Sequence, residues 1–214
     1  MAANNYAQWR SDWQQRFLSM IPDQLLRKLP FLSIQDQKLL VPYFDQICAI
    51  RLSDGVIEAP EAWGTLSLMD EMNIYTMLWY SKEGASLTGE WLPFEQLRGA
   101  RAFGPAFRKG NLAPFAATFD GHGPALKQAL LQLGGLPLPT GDVGYQISVF
   151  PCIPMRVLFW DGDDEFPAQC NLLFDRSATE FIHVESVVSI ASEALKHVSV
   201  LSGLPIRGPL MDTE

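Results

Sequence analysis

The chain has 214 residues, of which 48% are hydrophobic and 19% are charged, so it can bury a sizeable core without disulfides or metal ions. Its 16 Lys and Arg residues and 24 Asp and Glu residues give a net charge of −8, which disfavours binding to a nucleic-acid backbone. No apolar stretch approaches the roughly 20 residues of a membrane-spanning helix. We therefore expect a small molecule or a protein as partner, and neither nucleic acid nor a membrane.

The first residues lack the features of a targeting signal. The segment from Met1 to Tyr6 contains neither the basic part nor the apolar part of a secretory signal peptide. We therefore expect a cytoplasmic location.

The first part of the chain predicts two helices that flank a β-meander. Apolar residues at steps of three and four indicate an amphipathic helix over residues 6–20. A pattern that is apolar on nearly all sides indicates a buried helix over Leu68–Tyr80. Between them, from residue 31 to residue 58, short apolar runs alternate with turn residues, and Asp54-Gly55 is the clearest hairpin turn.

The middle of the chain is cut into short pieces by glycine and proline, and two of these pieces favour helices, at about 112–119 and 124–133. Three strand-like runs follow, over residues 145–150, 155–160 and 170–174. An acidic turn separates the second run from the third, and this favours antiparallel pairing.

A last amphipathic helix is predicted over residues 184–201, where Lys196 and His197 suit the negative end of the helix dipole. The whole pattern predicts one α+β domain over residues 1–203 and a loose C-terminal tail over residues 204–214. The expected architecture is a mainly antiparallel sheet, formed by the meander and the three late strands and packed with amphipathic helices.

The three cysteines lie far apart and form no C-x-x-C pair. The sequence therefore predicts neither an iron–sulfur cluster nor a structural zinc site formed by this chain alone. Cys48 and Cys170 lie in apolar runs and are expected to be buried, whereas Cys152, between two prolines, is expected to be more exposed.

The acidic turn from Asp161 to Glu165 resembles a calcium-binding loop in composition only. The sixth position of such a loop requires glycine and holds Phe166, and the twelfth requires glutamate and holds Leu172. The turn is therefore typical of a charged hairpin tip, unless its carboxylates join a site formed with residues elsewhere.

Five segments follow one another in a characteristic order along the chain: Leu87–Trp91, Pro105–Lys109, Leu133–Gly135, Phe159–Ala168 and Leu173–Ser177. Together these segments resemble an uncharacterised prokaryotic family known as domain of unknown function 3786. The resemblance covers about residues 6–200 and implies no defined activity. It does imply a setting in anaerobic microbes, and a hint of metal chemistry, since some members carry an added cysteine-rich segment that this chain lacks.

A candidate metal site arises where polar residues interrupt apolar elements. The acidic turn, the strand end at Asp175 and the helix start at His183 could share one edge of a sheet. In that case Asp163, Glu165, Asp175 and His183 would bind a divalent transition metal, because mixed carboxylate and imidazole ligands suit zinc, iron or manganese better than calcium.

The same region could instead bind a polar small molecule. Asp163 and Asp175 would then orient the ligand against Trp160, and Arg176 would hold its anionic part. A local interpretation also stays open, in which Asp175 and Arg176 cap or pair with neighbours and His183 caps or packs at its helix.

Three classes of function are consistent with these patterns. The first is an accessory protein of anaerobic metabolism that binds a small molecule, a metal or a cofactor. The second is an enzyme that uses carboxylates and His183 as acid–base groups in a cleft. The third is an acidic module that docks a basic protein partner.

Overall fold

Two antiparallel sheets form the β part of the structure. The structure is a computed structural model that describes residues 2–209, with side chains from Tyr6 onward. The predicted meander forms the first sheet, in the order β1-β2-β3-β4. Its strands are β1 (Ser33–Gln35), β2 (Lys38–Tyr43), β3 (Gln46–Arg51) and β4 (Ile57–Glu58). Asp54 and Gly55 lie in the turn between β3 and β4, as predicted.

The late strands belong to a second sheet with the order β5-β9-β8-β7-β6. Its strands are β5 (Trp91–Pro93), β6 (Leu136–Pro137), β7 (Val143–Phe150), β8 (Ile153–Trp160) and β9 (Gln169–Asp175). Every pair of neighbours is antiparallel, as the turn between β8 and β9 predicts. Trp160 lies opposite Gln169 in this pairing, so the acidic turn closes one end of the β8–β9 hairpin.

The meander and the late strands are therefore two sheets, whereas the sequence analysis expected one. β7 pairs with β8 along its length and with β6 at its other edge, so little of its backbone remains to accept a further strand. The two sheets meet at the end of β2 and the turn that follows it, where Tyr43 packs on Phe150 and the Phe44 amide donates a hydrogen bond of 2.9 Å to the Val149 carbonyl. The predicted class, α+β with antiparallel strands and amphipathic helices, is confirmed.

The helices pack against the sheets. They are α1 (Ala2–Leu18), α2 (Pro22–Lys28), α3 (Leu68–Tyr80), α4 (Gly104–Phe107), α5 (Ala113–Phe119), α6 (Gly123–Gln132), α7 (Ala178–Phe181) and α8 (Val184–Ser202). Short 3₁₀ turns (Phe94–Gln96 and Arg101–Phe103) and a π-helical turn (Arg108–Leu112) connect β5 to α5. Within residues 2–209, no helix combines the length and the apolar character needed to cross a membrane.

Helices α3 and α8 pack against each other in antiparallel orientation. The Thr76 and Ser186 hydroxyls lie 3.2 Å apart near one end of this contact, and Ser67, which caps α3, bonds to Glu193 at the other. α8 ends at Gly203, whose φ of +69° is the left-handed conformation that glycine adopts without strain. The interface between the two helices therefore brings polar residues of α3 next to polar residues of α8.

Burial of the cysteines differs from expectation at two positions, because Cys152 is buried and Cys170 is only partly buried. Cys48 is buried as predicted, but Cys152 is also buried, because the tight connection between β7 and β8 turns it toward the core. Burial raises the pKa of both thiols to about 12, so neither is a reactive thiolate near neutral pH. Cys170, on β9, is partly buried.

Part of the predicted tail is described. Leu204 and Ile206 pack against the core, and the Arg207 amide donates a hydrogen bond of 3.0 Å to the Thr118 hydroxyl of α5. Residues 210–214, the remainder of the predicted tail, lie outside the described residues.

Two methionines of α3 give a matched test of which face of this helix enters the core. Met77 is fully buried, whereas Met72 is only partly buried. We expect Met77→Ala to lower the free energy of unfolding by about 2–5 kcal/mol, because it leaves a cavity, and Met72→Ala by less than about 1.5 kcal/mol. Chemical denaturation followed by tryptophan fluorescence measures both values, and equal losses would contradict this placement of the helix.

Candidate functional site

The acidic turn is held by its own backbone. Asp163 Oδ1 accepts hydrogen bonds from the amides of Glu165 and Phe166, at 2.9 and 2.7 Å. These bonds stabilise the charged form and lower the pKa of the Asp163 carboxyl. Glu165 is exposed, and Trp160 stands at the end of β8 with 37% of its surface exposed.

Asp175 is a buried structural carboxylate at the other end of β9. Its Oδ1 accepts from the amide and hydroxyl of both Thr88 and Ser177, and its Oδ2 accepts from the Gly89 amide, over distances of 2.6–3.0 Å. Burial alone would raise the pKa of this carboxyl, but the hydrogen bonds outweigh burial and lower the pKa to about 2. With its oxygens engaged in this way, Asp175 anchors the loop before β5.

The predicted metal set is not brought together. Asp163 lies beyond the Gln169 end of β9, and Asp175 is at the opposite end, about 20 Å away at about 3.3 Å per residue. The sequence analysis treated polar interruptions that are close along the chain as close in space. An antiparallel strand separates its two ends instead, so Asp163 and Glu165 do not share a metal ion with Asp175.

The other predicted residues make local contacts. The Arg176 guanidinium lies 2.9 Å from the Glu90 carboxylate, and both side chains are exposed. His183 is the N-cap of α8, where its Nδ1 accepts a bond of 3.4 Å from the Glu185 amide. These contacts correspond to the local interpretation of Arg176 and His183.

The dense bonding of Asp175 makes a prediction about stability. We expect Asp175→Asn to lower the free energy of unfolding by about 2–4 kcal/mol at neutral pH, because an amide nitrogen would face backbone donors. The wild-type carboxylate, with its lowered pKa, stabilises the fold above pH of about 4, and this contribution is lost as the pH falls toward about 2. Asp163→Asn, in the exposed turn, is the control and should have a much smaller effect.

Denaturation at several pH values measures both variants. The account of Asp175 fails if its asparagine variant unfolds with the same pH dependence as wild type.

A different cluster of chemically active side chains lies between α3 and α8. Among the described residues, Asp70, Glu193 and His197 place one potential metal-ligand atom each within 4.8 Å of one another. Asp70 and Glu193 are buried, at 3% and 2% exposure, and His197 is partly buried and reaches toward the surface. We call these three residues the carboxylate–imidazole cluster.

The N-terminal cap of α3 positions Asp70. The Ser67 hydroxyl accepts from the Asp70 amide and Asp70 Oδ2 accepts from the Ser67 amide, both at 3.0 Å, which is a capping box. The same Ser67 hydroxyl donates to Glu193 Oε2 at 3.0 Å. On α8, Glu193 and His197 are four residues apart and therefore lie on one face.

Side chains from the first sheet complete the surroundings of Asp70. The Tyr43 hydroxyl donates to Asp70 Oδ1 at 2.9 Å, and Asn73 Nδ2 donates to the Tyr43 oxygen at 3.2 Å. Asn73 is fully buried, yet its Oδ1 has no hydrogen-bond partner among the described residues. An unpaired buried acceptor is rare in proteins and calls for a physical explanation.

Aromatic rings fix the orientation of His197. The His197 ring stacks on Trp63 with the two ring centroids 4.3 Å apart. The centroid of the Phe44 ring also lies 4.8 Å from the centroid of the His197 ring. In this orientation Nε2 is 3.3 Å from Asp70 Oδ1. The imidazole is therefore held against the carboxylate by packing as well as by the hydrogen bond.

The two carboxyl groups of the cluster differ in their electrostatics. For Asp70, burial would raise the pKa, but the contacts with His197, the Ser67 amide and Tyr43 prevail and lower it. For Glu193, burial and repulsion by Asp70 raise the pKa, although Lys196, whose Nζ is 3.1 Å from Oε1, opposes the change. The pKa of Tyr43 is raised well above its usual range by burial and by the charge of Asp70.

Two local signals in the sequence could have indicated this cluster. Ser67-x-x-Asp70 has the spacing of a capping box, and Glu193-x-x-x-His197 places a carboxylate and an imidazole on one helical face. The sequence analysis assigned His197 to the helix dipole only, and nothing in the pattern shows that the two helices meet at these residues.

The fold and the cluster define an α+β protein with a buried carboxylate–imidazole group between two antiparallel helices. The model of the family described as Domain of unknown function (DUF3786) matches residues 22–196 of the chain. This match spans well over half of the chain, so the protein belongs to that family, as the resemblance of its motifs predicted. Searches of curated proteins and of solved structures found no match.

Proposed function

We propose that this protein binds one divalent transition-metal ion through Asp70, Glu193 and His197. The observation that carries the proposal is the convergence of three potential ligand atoms within 4.8 Å on two packed helices. Two carboxylates and one imidazole form a ligand set that zinc, iron and manganese accept.

The spacing of the ligand atoms supports the proposal. Ligand bonds of about 2.1 Å in a tetrahedral site place neighbouring ligand atoms about 3.4 Å apart. The distance of 3.3 Å between Asp70 Oδ1 and His197 Nε2 is close to that value. An ion could enter between them by displacing the shared proton, with small movements of side chains that are already oriented.

The charges of the cluster also favour a cation. Two carboxylates held close together inside a protein lose solvation and repel each other, and burial first and the charge of Asp70 second raise the pKa of Glu193. Lys196 offsets part of it from the more exposed side, with 30% of its side chain accessible. A divalent ion at the cluster would compensate both carboxylates directly.

Residues around the cluster suit the role of supporting a metal. Tyr43 holds Asp70, Asn73 holds Tyr43, and the Ser67 hydroxyl holds Glu193, so each carboxylate has an orienting partner. Three protein ligands leave room for a water molecule or a ligand on the ion. A water bound in this way is one donor that could satisfy the unpaired Asn73 Oδ1.

The family resemblance implies a setting in anaerobic microbes and a hint of metal chemistry, and a cytoplasmic accessory protein that binds a metal fits both. A second candidate function is acid–base catalysis by His197, favoured by its hydrogen bond to Asp70, which fixes the tautomer and orientation of an imidazole. This alternative requires His197 without requiring a metal.

Metal binding tests the proposal directly. We expect protein purified without oxygen and freed of metal to bind Zn²⁺ or Mn²⁺ at about one ion per chain in calorimetry. Glu193→Gln and His197→Gln should each weaken binding at least about tenfold, because each removes a ligand. Binding should also weaken as the pH falls, because the three ligands must be deprotonated.

Asp163→Asn and His183→Asn are the matched controls, since both residues lie outside the cluster. Unchanged affinity in Glu193→Gln and His197→Gln, or loss of binding in Asp163→Asn, would refute the assignment. Activity that depends on His197 in metal-free protein would favour the acid–base alternative.

The same Glu193 substitution makes a prediction about stability without metal. The raised pKa of Glu193 means that wild type loses stability as the pH rises above about 4.5, since the unfolded chain ionises more readily. We therefore expect metal-free Glu193→Gln to melt at a higher temperature than wild type at pH 7. Zn²⁺ at about 100 times the wild-type Kd should stabilise wild type by about 2.7 kcal/mol, and the variant, which binds at least about tenfold more weakly, by no more than about 1.4 kcal/mol. A variant that is less stable without metal and equally stabilised by Zn²⁺ would contradict this account.

A further inference from the structure

The ion pair between Glu193 and Lys196 differs from an ordinary exposed ion pair. The Glu193 side chain is 2% exposed, and Lys196 Nζ lies 3.1 Å from its Oε1 atom. In the pair formed by Lys82 and Glu180 near the other end of α3, the carboxylate side chain is 34% exposed. Solvent screens such an exposed pair, whereas a buried carboxylate depends on its partner for compensation. Lys196 therefore acts as the counter-ion of a buried charge.

Glu193 presents its two oxygens to different surroundings. Its Oε2 atom accepts a hydrogen bond of 3.0 Å from the Ser67 hydroxyl at the start of α3. Its Oε1 atom accepts from Lys196, whose side chain is 30% exposed. Since the carboxylate is buried, the lysine extends from Glu193 toward solvent. A cation that approaches Oε1 from solvent therefore meets the ammonium group.

The ammonium group and an ion in the carboxylate–imidazole cluster would be like charges at close range. Ligand bonds of about 2.1 Å place an ion on either oxygen of Glu193 within about 7 Å of Lys196 Nζ in its present position. At that distance a divalent ion and a lysine repel each other by more than RT, even at the dielectric constant of water. The ion and the ammonium group therefore compete for the same carboxylate.

Lys196 can leave Glu193 without disturbing the helix. Lysine has a flexible four-carbon stem and a strongly hydrated ammonium group, so its head is stable in water. The side chain is already 30% exposed, and rotation of its stem moves the head outward without a change in the backbone of α8. Glu193 would lose one cation and gain another, so its buried charge is compensated in both states.

We propose that Lys196 is the resident cation of the cluster and that a divalent ion displaces its ammonium group from Glu193. The lysine would then weaken metal binding and make it readily reversible, and neutralising the lysine would strengthen it. The inference rests on the proposed metal site at Asp70, Glu193 and His197, and it adds a control on the occupancy of that site.

Substitutions at Lys196 test the competition on the full chain. We expect Lys196→Met to bind Mn²⁺ about 5–50-fold more tightly than wild type, because no ammonium group opposes the ion. Lys196→Arg keeps the charge and should bind no more tightly than wild type. Calorimetry at pH 8 without oxygen measures the affinities, and at this pH protons compete little for the ligands.

Lys82→Met is the matched control, because it removes the same charge from an exposed ion pair near the other end of α3. Its affinity for Mn²⁺ should equal that of wild type, since salt screens a distant exposed charge. Circular dichroism confirms that each variant is folded.

Chemical labelling reports the displacement itself. Acetylation by an N-hydroxysuccinimide ester requires an accessible amine, and peptide mass spectrometry measures its rate at each lysine. We expect Lys196 to react several-fold faster in Mn²⁺-loaded protein than in metal-free protein, and Lys82 to react equally in both. In His197→Gln, under Mn²⁺ concentrations that load wild type only, the rate at Lys196 should not change.

The results separate this inference from the metal site on which it rests. If wild type binds Mn²⁺ and Lys196→Met binds it equally or more weakly, or if Mn²⁺ leaves the labelling of Lys196 unchanged, the role of Lys196 is refuted and the metal site stands. If neither wild type nor Lys196→Met binds Mn²⁺ or Zn²⁺, the metal site is refuted and this inference with it. Binding by Lys196→Met alone would support the competition in its strongest form.

Discussion

The contact between α3 and α8 is the constraint on which the rest of the structure depends. At one end it holds Asp70 and Glu193 in the interior, and at the other it joins the helices through the Thr76 and Ser186 hydroxyls. Two buried carboxylates at a helix contact are costly unless donors or cations compensate them. Ser67, Tyr43, His197 and Lys196 supply that compensation in part, and the carboxylate–imidazole cluster exists because they do so at one place.

The first sheet contributes to the cluster through its central turn. Tyr43 ends β2, and Phe44 follows it in the turn to β3, so the hydroxyl of one residue reaches Asp70 and the ring of the next packs on His197. The Phe44 amide also makes the hydrogen bond to Val149 that links the two sheets. The position of the cluster is therefore coupled to the way in which the meander docks on the second sheet.

Local patterns predicted most of the elements, because each depends on the spacing of neighbouring residues. The helix over Leu68–Tyr80 has the predicted bounds, and the antiparallel β8–β9 hairpin follows from its acidic turn. The docking of the meander as a separate sheet depends on which strand edges are already paired, and no local pattern records that.

The predicted metal ligands are not brought together for the same reason, since contacts between elements leave no local pattern in the sequence. Asp163, Asp175 and His183 are close along the chain, and the length of β9 separates the first two. Asp70 and His197 are 127 positions apart in sequence, and only the packing of α3 on α8 brings them to 3.3 Å. A capping box and a carboxylate–imidazole pair on one helical face were visible in the sequence, but their meeting was not.

X-ray absorption spectroscopy of the metal-loaded protein tests the central claim most directly, because it identifies the atoms bound to the ion. The account predicts only nitrogen and oxygen ligands at about 2.0–2.2 Å, with the outer-shell signature of one imidazole that disappears in His197→Gln. A sulfur ligand at about 2.3 Å, or a spectrum of oxygen ligands without imidazole, would place the ion elsewhere and contradict the account.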